Sequence, residues 1–523
     1  MDPNNQPTYD MYDLLGRQTQ VTYPDGGSTS SCYTDLGGST CAQSSTPPYA
    51  MVVNRALNTS GKFITSTTNF DGFGRVSQTV LNSDPQGADY VETTYDALGR
   101  ESTVSSPHRS TSSTTDGITG YIFDALGRPC VTVQPDGTQL SQSSGCPTTA
   151  PSKDVFTQYS GNCTTVTDEA AKARQSCVDG LERLTKIFED PNGLNYETDY
   201  FYDALNNLTC VEQHGGVTGT GCSSPPSSDA TSPWRVRRFS YNSLSQLTST
   251  TNQESGTISY TYDNIGNLQT KTAPSPNQSS IATVNTTYTH DGLKRLTGKS
   301  YNDTYTSNPA TASVSYGYDG VALTSCTTAP PSDTDSYPVG SRTSMCDGSG
   351  ATTWTHDKMG RILHERRTIG AVKGDFDNDT YNLDGSVTNV TSLGYDVAYT
   401  YDGAGRVTTA KNSADPFSYV TSATYAPPGE VASVSLGAAP ITVTNYYNNR
   451  LQPILLSAFT SSATLFSECF DFHLGIAITP SQTPPCSFAA STSGDNGNVY
   501  QIVNNRDGNR TQNFNYDPLN RIQ

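Results

Sequence analysis

The chain has 523 residues, of which 33% are apolar and 15% charged, against about 45–50% and 25% in ordinary globular proteins. Tyr (31) is almost twice as frequent as Phe (16), a balance that argues against a helical enzyme, a coiled coil or a membrane-spanning chain and suits many short strands joined by polar turns. A formal net charge of −18 repels phosphate backbones, so no nucleic-acid partner is expected.

The opening residues, MDPNNQPTYD, hold neither a basic nor an apolar stretch, so no signal peptide is visible. A short unit follows: Tyr12-Asp13-Leu14-Leu15-Gly16-Arg17. Clear copies start at Phe70 (with Gly74), Tyr95 (Gly99), Phe123 (Gly127), Tyr202, Tyr262 (Gly266), Tyr401 (Gly405) and Tyr516. Looser copies start at Val178, Tyr241, His290, Tyr318, His356 and Tyr381, and neighbours are commonly 20–28 residues apart. Recurrence at such a period is the mark of a repeat architecture. One continuous array over 1–523 is therefore expected, with no separate catalytic or payload domain.

The residues before each unit alternate. Ile258, Tyr260 and Tyr262 share one face of a predicted strand, with Ser259 and Thr261 on the other. Val314-Tyr316-Tyr318 and Val397-Tyr399-Tyr401 repeat the pattern. The unit itself has turn chemistry. Its Asp bonds backbone two residues on, and its Gly supplies a positive φ. The apolar residue after Arg, such as Val407, begins the return strand. Each unit predicts an antiparallel β-hairpin, marginal alone but stable when stacked. Tyr suits a wall one sheet thick, because it buries a ring and keeps a polar contact. His290 and His356 stand where the aromatic belongs, as planar rings or as metal ligands.

Twelve cysteines fall into six local couples: Cys32/Cys41, Cys130/Cys146, Cys163/Cys177, Cys210/Cys222, Cys326/Cys346 and Cys469/Cys486. None has Cys-x-x-Cys spacing, and several bracket Ser-, Pro- and Gly-rich insertions. Disulfides across hairpin bases in an oxidising compartment are the expectation, with reduced thiols as the alternative. Trp234-Arg235-Val236-Arg237-Arg238 alternates like an edge or solvated strand. Asp375, Asp377 and Asp379 have the alternate spacing of a calcium loop, but the usual Gly at position six and Glu at position twelve are replaced by Thr380 and Ser386. A polar hairpin loop is the competing reading. His364-Glu365 lacks the second His of a zinc protease helix, and no phosphate-binding or nucleophile-elbow motif occurs. No catalytic residue and no cofactor are expected. The longest apolar stretch, around Pro453–Phe466, is too broken to cross a membrane.

With its upstream Tyr-x-Tyr, the Tyr-Asp-x-x-Gly-Arg unit from Tyr12 to Tyr516 resembles the RHS/YD-repeat family. That family includes bacterial Rhs polymorphic toxins, wall-associated repeat proteins, shell components of insecticidal toxin complexes, and teneurins. The resemblance implies an all-β ribbon of hairpins spiralling into part of a hollow shell around a C-terminal effector. It thereby implies a secreted or cell-surface, non-enzymatic structural protein whose partner is its own effector or core domain. The Asp-Pro-rich core segment of payload-bearing members is not matched, since Asp517-Pro518 lies within a repeat. With no cap after Gln523, the sequence reads as a fragment of a longer protein. A surface adhesin binding glycans or receptors through the loops, or an extracellular hydrolase, are the rival readings.

Overall fold

The computed structural model describes residues 2–113, 115–137, 145–223, 235–275, 282–303, 310–392, 394–412, 418–473, 486 and 494–523. Among them there is no α-helix, and no helix long and apolar enough to cross a membrane. The described residues form one antiparallel sheet of 37 strands. Each strand pairs with its neighbours in sequence, from Tyr9–Tyr12 against Gln18–Thr22 to Gln501–Asn504 against Gln512–Asn513. The ribbon curls without closing.

The curled ribbon is a wall rather than a filled body. Its accessible surface is 27989 Å², against about 18,000 Å² for a compact protein of this mass. The buried apolar residues are scattered or gathered in two small clusters, each built around a disulfide. One is Ile122, Cys130, Val131 and Phe156, and the other Leu455, Cys469, Cys486 and Val503.

All six cysteine couples are disulfide-bonded, with Cα–Cα distances between 4.0 Å and 6.5 Å. Only Cys163–Cys177 joins two paired strands at facing positions, as expected for a hairpin base. The other five correct that expectation. In each, one cysteine sits buried in a strand, at Cys32, Cys130, Cys210, Cys346 or Cys469. Its partner, Cys41, Cys146, Cys222, Cys326 or Cys486, belongs to no strand and stands in an insertion. The ladder explains the difference. Cys32 faces Val52, and Cys210 faces Phe201 and Arg238, so neither has a cysteine opposite it. Cys41 and Cys222 reach them from loops and are only half-buried. Cys146, also half-buried, packs from its insertion onto the cluster around Cys130. These bridges fold an insertion back onto the sheet, because such a loop has no core of its own.

Two further expectations are corrected. Arg235–Tyr241 is the expected strand but not an edge: it pairs with both Leu208–Gln213 and Leu247–Asn252, with Val236 buried and its arginines half-buried. Trp234 lies outside the described residues. The Asp375 to Asp379 segment is part of the strand Val372–Tyr381, not a loop. Asp375 and Asp377 therefore stand about 7 Å apart along one face instead of converging, and Asp377 is ion-paired with Arg366. The Asp379 side chain is not described.

Candidate functional site

Most repeat turns share one construction. Oδ1 of Asp13 accepts the N–H groups of Leu15 (2.8 Å) and Arg17 (2.9 Å), and Oδ2 accepts Nε of Arg17 (2.8 Å). Asp71, Asp96, Asp124, Asp179, Asp291, Asp357, Asp402 and Asp517 repeat it. The Arg128 N–H, against desolvation, and the Arg128 side chain hold Asp124 below its ordinary range. The Arg183 side chain is the first cause at Asp179. The residue two positions before the return strand has positive φ whether it is Gly405 (+83°) or not, as at Lys294 (+64°) and Leu451 (+64°). A bulge at the aromatic then sets Tyr401 opposite Val407.

Each turn also grips the next unit. The guanidinium of Arg75 lies 4.1 Å from the centre of the Tyr95 ring, and Arg100 lies 4.2 Å from that of Phe123. The Tyr95 hydroxyl donates to the carbonyl of Val76 (2.8 Å), and Tyr318 does the same to Leu296 (3.0 Å). A cation–π contact and one hydrogen bond therefore fix the step from unit to unit. This explains why Arg, the following apolar residue and the next aromatic recur together. Tyr12, Phe70, Phe123, Tyr202, Tyr262, Tyr401 and Tyr516 all stand at the start of such turns. In place of the aromatic, His356 is buried, with Nδ1 2.6 Å from Oδ2 of Asp335. Three units lack the signature and escape a sequence reading. In Asn448-Asn449-Arg450-Leu451-Gln452, Asn replaces Asp and Gln replaces Arg, yet Oδ1 of Asn448 accepts the same two N–H groups. The turns at Asp168 and Ala426 are the others. Only before Asn448, in Ile441-Thr442-Val443-Thr444, was a bulky-polar alternation available as a signal.

Successive turns of the ribbon meet along a seam that repeat spacing does not reveal. Its partners lie from 281 residues apart (Glu169 and Arg450) to 352 apart (Asp168 and Asn520). Repeat turns of the second half dock on the inter-unit turns of the first. Arg361 reaches Asp25 (3.2 Å), and Arg406 reaches the buried Asp84 (2.8 Å). Arg109 holds Asp84 and Asp89 and donates to the carbonyl of Tyr425 (3.1 Å). Burial first, then the neighbouring Asp84 carboxyl, pushes Asp89 up to about 7.

A second seam cluster gathers Asp136 and Glu169 from the first half with Arg450, Asp471, His473 and Asp495 from the second. Arg450 pairs with Glu169 (2.6 Å) and stands 3.6 Å from Asp136. His473 lies between Asp136 (Nε2 to Oδ2, 3.4 Å) and Asp471 (Nδ1 to Oδ1, 3.1 Å). Hydrogen bonds to Asp136 and then Asp471 raise its imidazole to about 9, while burial pushes the Asp495 carboxyl up. Asp136, His473 and Asp495 each offer one ligand atom within 4.8 Å of the others, as do Glu197, Asp199 and His214. In the latter trio Lys186 already contacts both carboxylates.

No family model matches the chain, and no curated protein is similar to it. Solved structures are. The crystal structure of TcdB2-TccC3 matches with a TM-score of 0.70 at 12% identity, over 99% of this chain and 29% of that one. The chain has an RHS-like β-sheet fold. The RHS-like ribbon also superposes on TcdB2-TccC3 without its hypervariable C-terminal region (TM-score 0.67, 13% identity, 91% of this chain and 24% of that chain). The Photorhabdus luminescens Tc holotoxin pore matches with a TM-score of 0.65 at 13% identity, again over 91% of this chain and 24% of that one. The chain thus spans under a third of each.

Proposed function

We propose that this chain is a non-enzymatic wall segment of an exported RHS-type shell that encloses or displays a C-terminal effector. The observation that carries the reading is the seam. Arg361–Asp25, Arg406–Asp84 and Arg450–Glu169 tie one turn of a one-layer ribbon to the next. A stacked spiral of this kind separates two spaces, which an open ribbon does not. Nine Asp–Arg pairs serve as mechanical clamps in the repeat turns, a structural role that needs no catalysis. Six disulfides, with no free cysteine, suit an oxidising compartment outside the cytosol. That the similar TcdB2-TccC3 is also described without a hypervariable C-terminal region supports an effector as the enclosed partner.

The test is electron microscopy and limited proteolysis of the full-length gene product. A hollow particle whose C-terminal segment resists protease until the particle is opened is the expected result. A C-terminal segment digested as fast as the same segment alone would overturn the enclosure reading. Turnover of polysaccharide by the purified chain would overturn the non-enzymatic one.

A further inference from the structure

We propose that Asp136, His473 and Asp495 form a divalent-cation site that clamps two successive turns of the ribbon, and that its ion is a transition metal such as Zn²⁺ or Mn²⁺.

The three ligands converge; Asp495 is buried, while Asp136 and His473 are half-buried. Asp495 is fully buried, and its Oδ2 has no hydrogen-bond partner. Oδ1 of Asp136 and Oδ2 of the buried Asp471 are also without one. Carboxylate oxygens removed from water are costly unless a cation or donors meet them. Four carboxylates crowd the pocket: Asp136, Glu169, Asp471 and Asp495. Arg450 is the neighbouring guanidinium. Its short contacts are spent on Glu169 and on the Asp495 carbonyl, leaving Asp495 Oδ1 4.0 Å away. A divalent ion supplies the missing positive charge.

The imidazole is oriented as a ligand. Asp471 Oδ1 accepts from Nδ1 of His473, and Nε2 faces Asp136. A carboxylate holding one ring nitrogen while the other faces the ion is the usual arrangement of metal-binding histidines. The separation of 3.4 Å between Nε2 and Asp136 Oδ2, which are hydrogen-bonded to each other, is at the long end of the range. It equals the separation, about 3.4 Å, of two ligands each about 2.1 Å from a tetrahedral ion. The other ligands are held too. Oδ1 of Asp495 accepts Gly497 N–H (2.8 Å) and Gln452 Nε2 (3.0 Å), which leaves Oδ2 for the pocket. A β-bridge fixes His473 against Asp495, and Asp136 sits in a turn closed by Gly137 N–H on Gln134 (2.9 Å). Mixed imidazole and carboxylate ligands favour Zn²⁺ or Mn²⁺ over Ca²⁺. The trio at His214 differs, because the Lys186 ammonium already offsets its carboxylates.

One ligand comes from the first turn and two from the second, so binding energy is seam energy. The test is calorimetric titration of the chelator-stripped chain with Zn²⁺ and with Mn²⁺, alongside thermal melting and hydrogen exchange. One ion per chain is expected, with a higher melting temperature and slowed exchange at both 134–137 and 495–497. Asp495→Asn and Asp136→Asn should each weaken binding at least about tenfold, and His214→Gln should leave it unchanged. Asp136→Asn, in a partly exposed turn, carries the test if Asp495→Asn misfolds. Absent heat with both ions, binding retained in Asp136→Asn, loss in His214→Gln, protection of one turn only, or tighter binding of Ca²⁺ would each overturn the proposal.

Discussion

Gly405 and Leu451 occupy the same place in two repeat turns and share one left-handed backbone conformation, at φ +83° and +64°. For Gly this costs nothing, whereas an L side chain pays about 1–2 kcal/mol. Leu451→Gly and Lys294→Gly are therefore expected to raise stability by up to about 1 kcal/mol, after the entropy of the added glycine is subtracted. Gly405→Val is expected to lower it by about 2 kcal/mol or more, since a Cβ there also meets Cδ1 of Ile64 at 3.0 Å. Urea unfolding of the three variants checks both signs, and equal midpoints would remove the turn argument. The aromatic, the Asp and the Gly of this turn were legible in the sequence because each does a local job. Asn448 was not, because an amide oxygen accepts the same two N–H groups as a carboxylate and breaks the letter pattern without breaking the geometry. The cysteine couples were legible by proximity alone. That Cys41, Cys146 and Cys222 sit in loops was not, because sequence distance does not say which residue faces which across a ladder.

Between elements, the acid–base behaviour of the seam sets it apart from the hairpins. Asp89 lies near 7 in the folded chain through burial and the Asp84 carboxyl beside it, and near its ordinary low value when unfolded. The folded state therefore holds an extra proton between these values. The stabilisation from Asp89 is complete below the unfolded value and is lost as pH rises through about 7. Asp124 and Asp179, held below their ordinary range, act the other way, and their contribution is lost only in acid. Asp89→Asn is thus expected to flatten the fall in stability between pH 5 and pH 8. Urea midpoints across that range measure it, and parallel pH profiles for parent and variant would count against the shared proton. The strands, their alternation and their order could be read from the sequence, because each pairs with its neighbour in the chain. Asp84 with Arg406 could not, since 322 residues separate them and neither stands out from the other Asp and Arg residues. The Asp375 to Asp379 spacing was misread for a related reason. Alternate carboxylates suit a metal loop and one face of a strand equally well, and pairing with His364 to Ile369 decides for the strand.

At the scale of the whole molecule, ribbon and seam are separable. A Cβ on Gly403 would stand 2.3 Å from the carbonyl oxygen of Ser83 across the seam, so Gly403→Val is expected to part the turns there. Strand pairing does not cross that line. The circular dichroism of the variant should match the parent, while its radius in small-angle scattering grows and protease sensitivity rises near residues 83–89. An unchanged radius would mean that the seam closes without this approach. Because the ribbon pairs only with what immediately precedes it in the chain, almost all of its backbone bonding can form within a few dozen residues of the ribosome exit. Such near-neighbour contacts close early and cost little loop entropy. The seam must wait for roughly 300 further residues to be made, which at about 5–20 residues per second is a delay of tens of seconds. During that interval the nascent protein is a finished strip with an unfastened border, and a chaperone or a second strip has that long to take the place its own later half will fill.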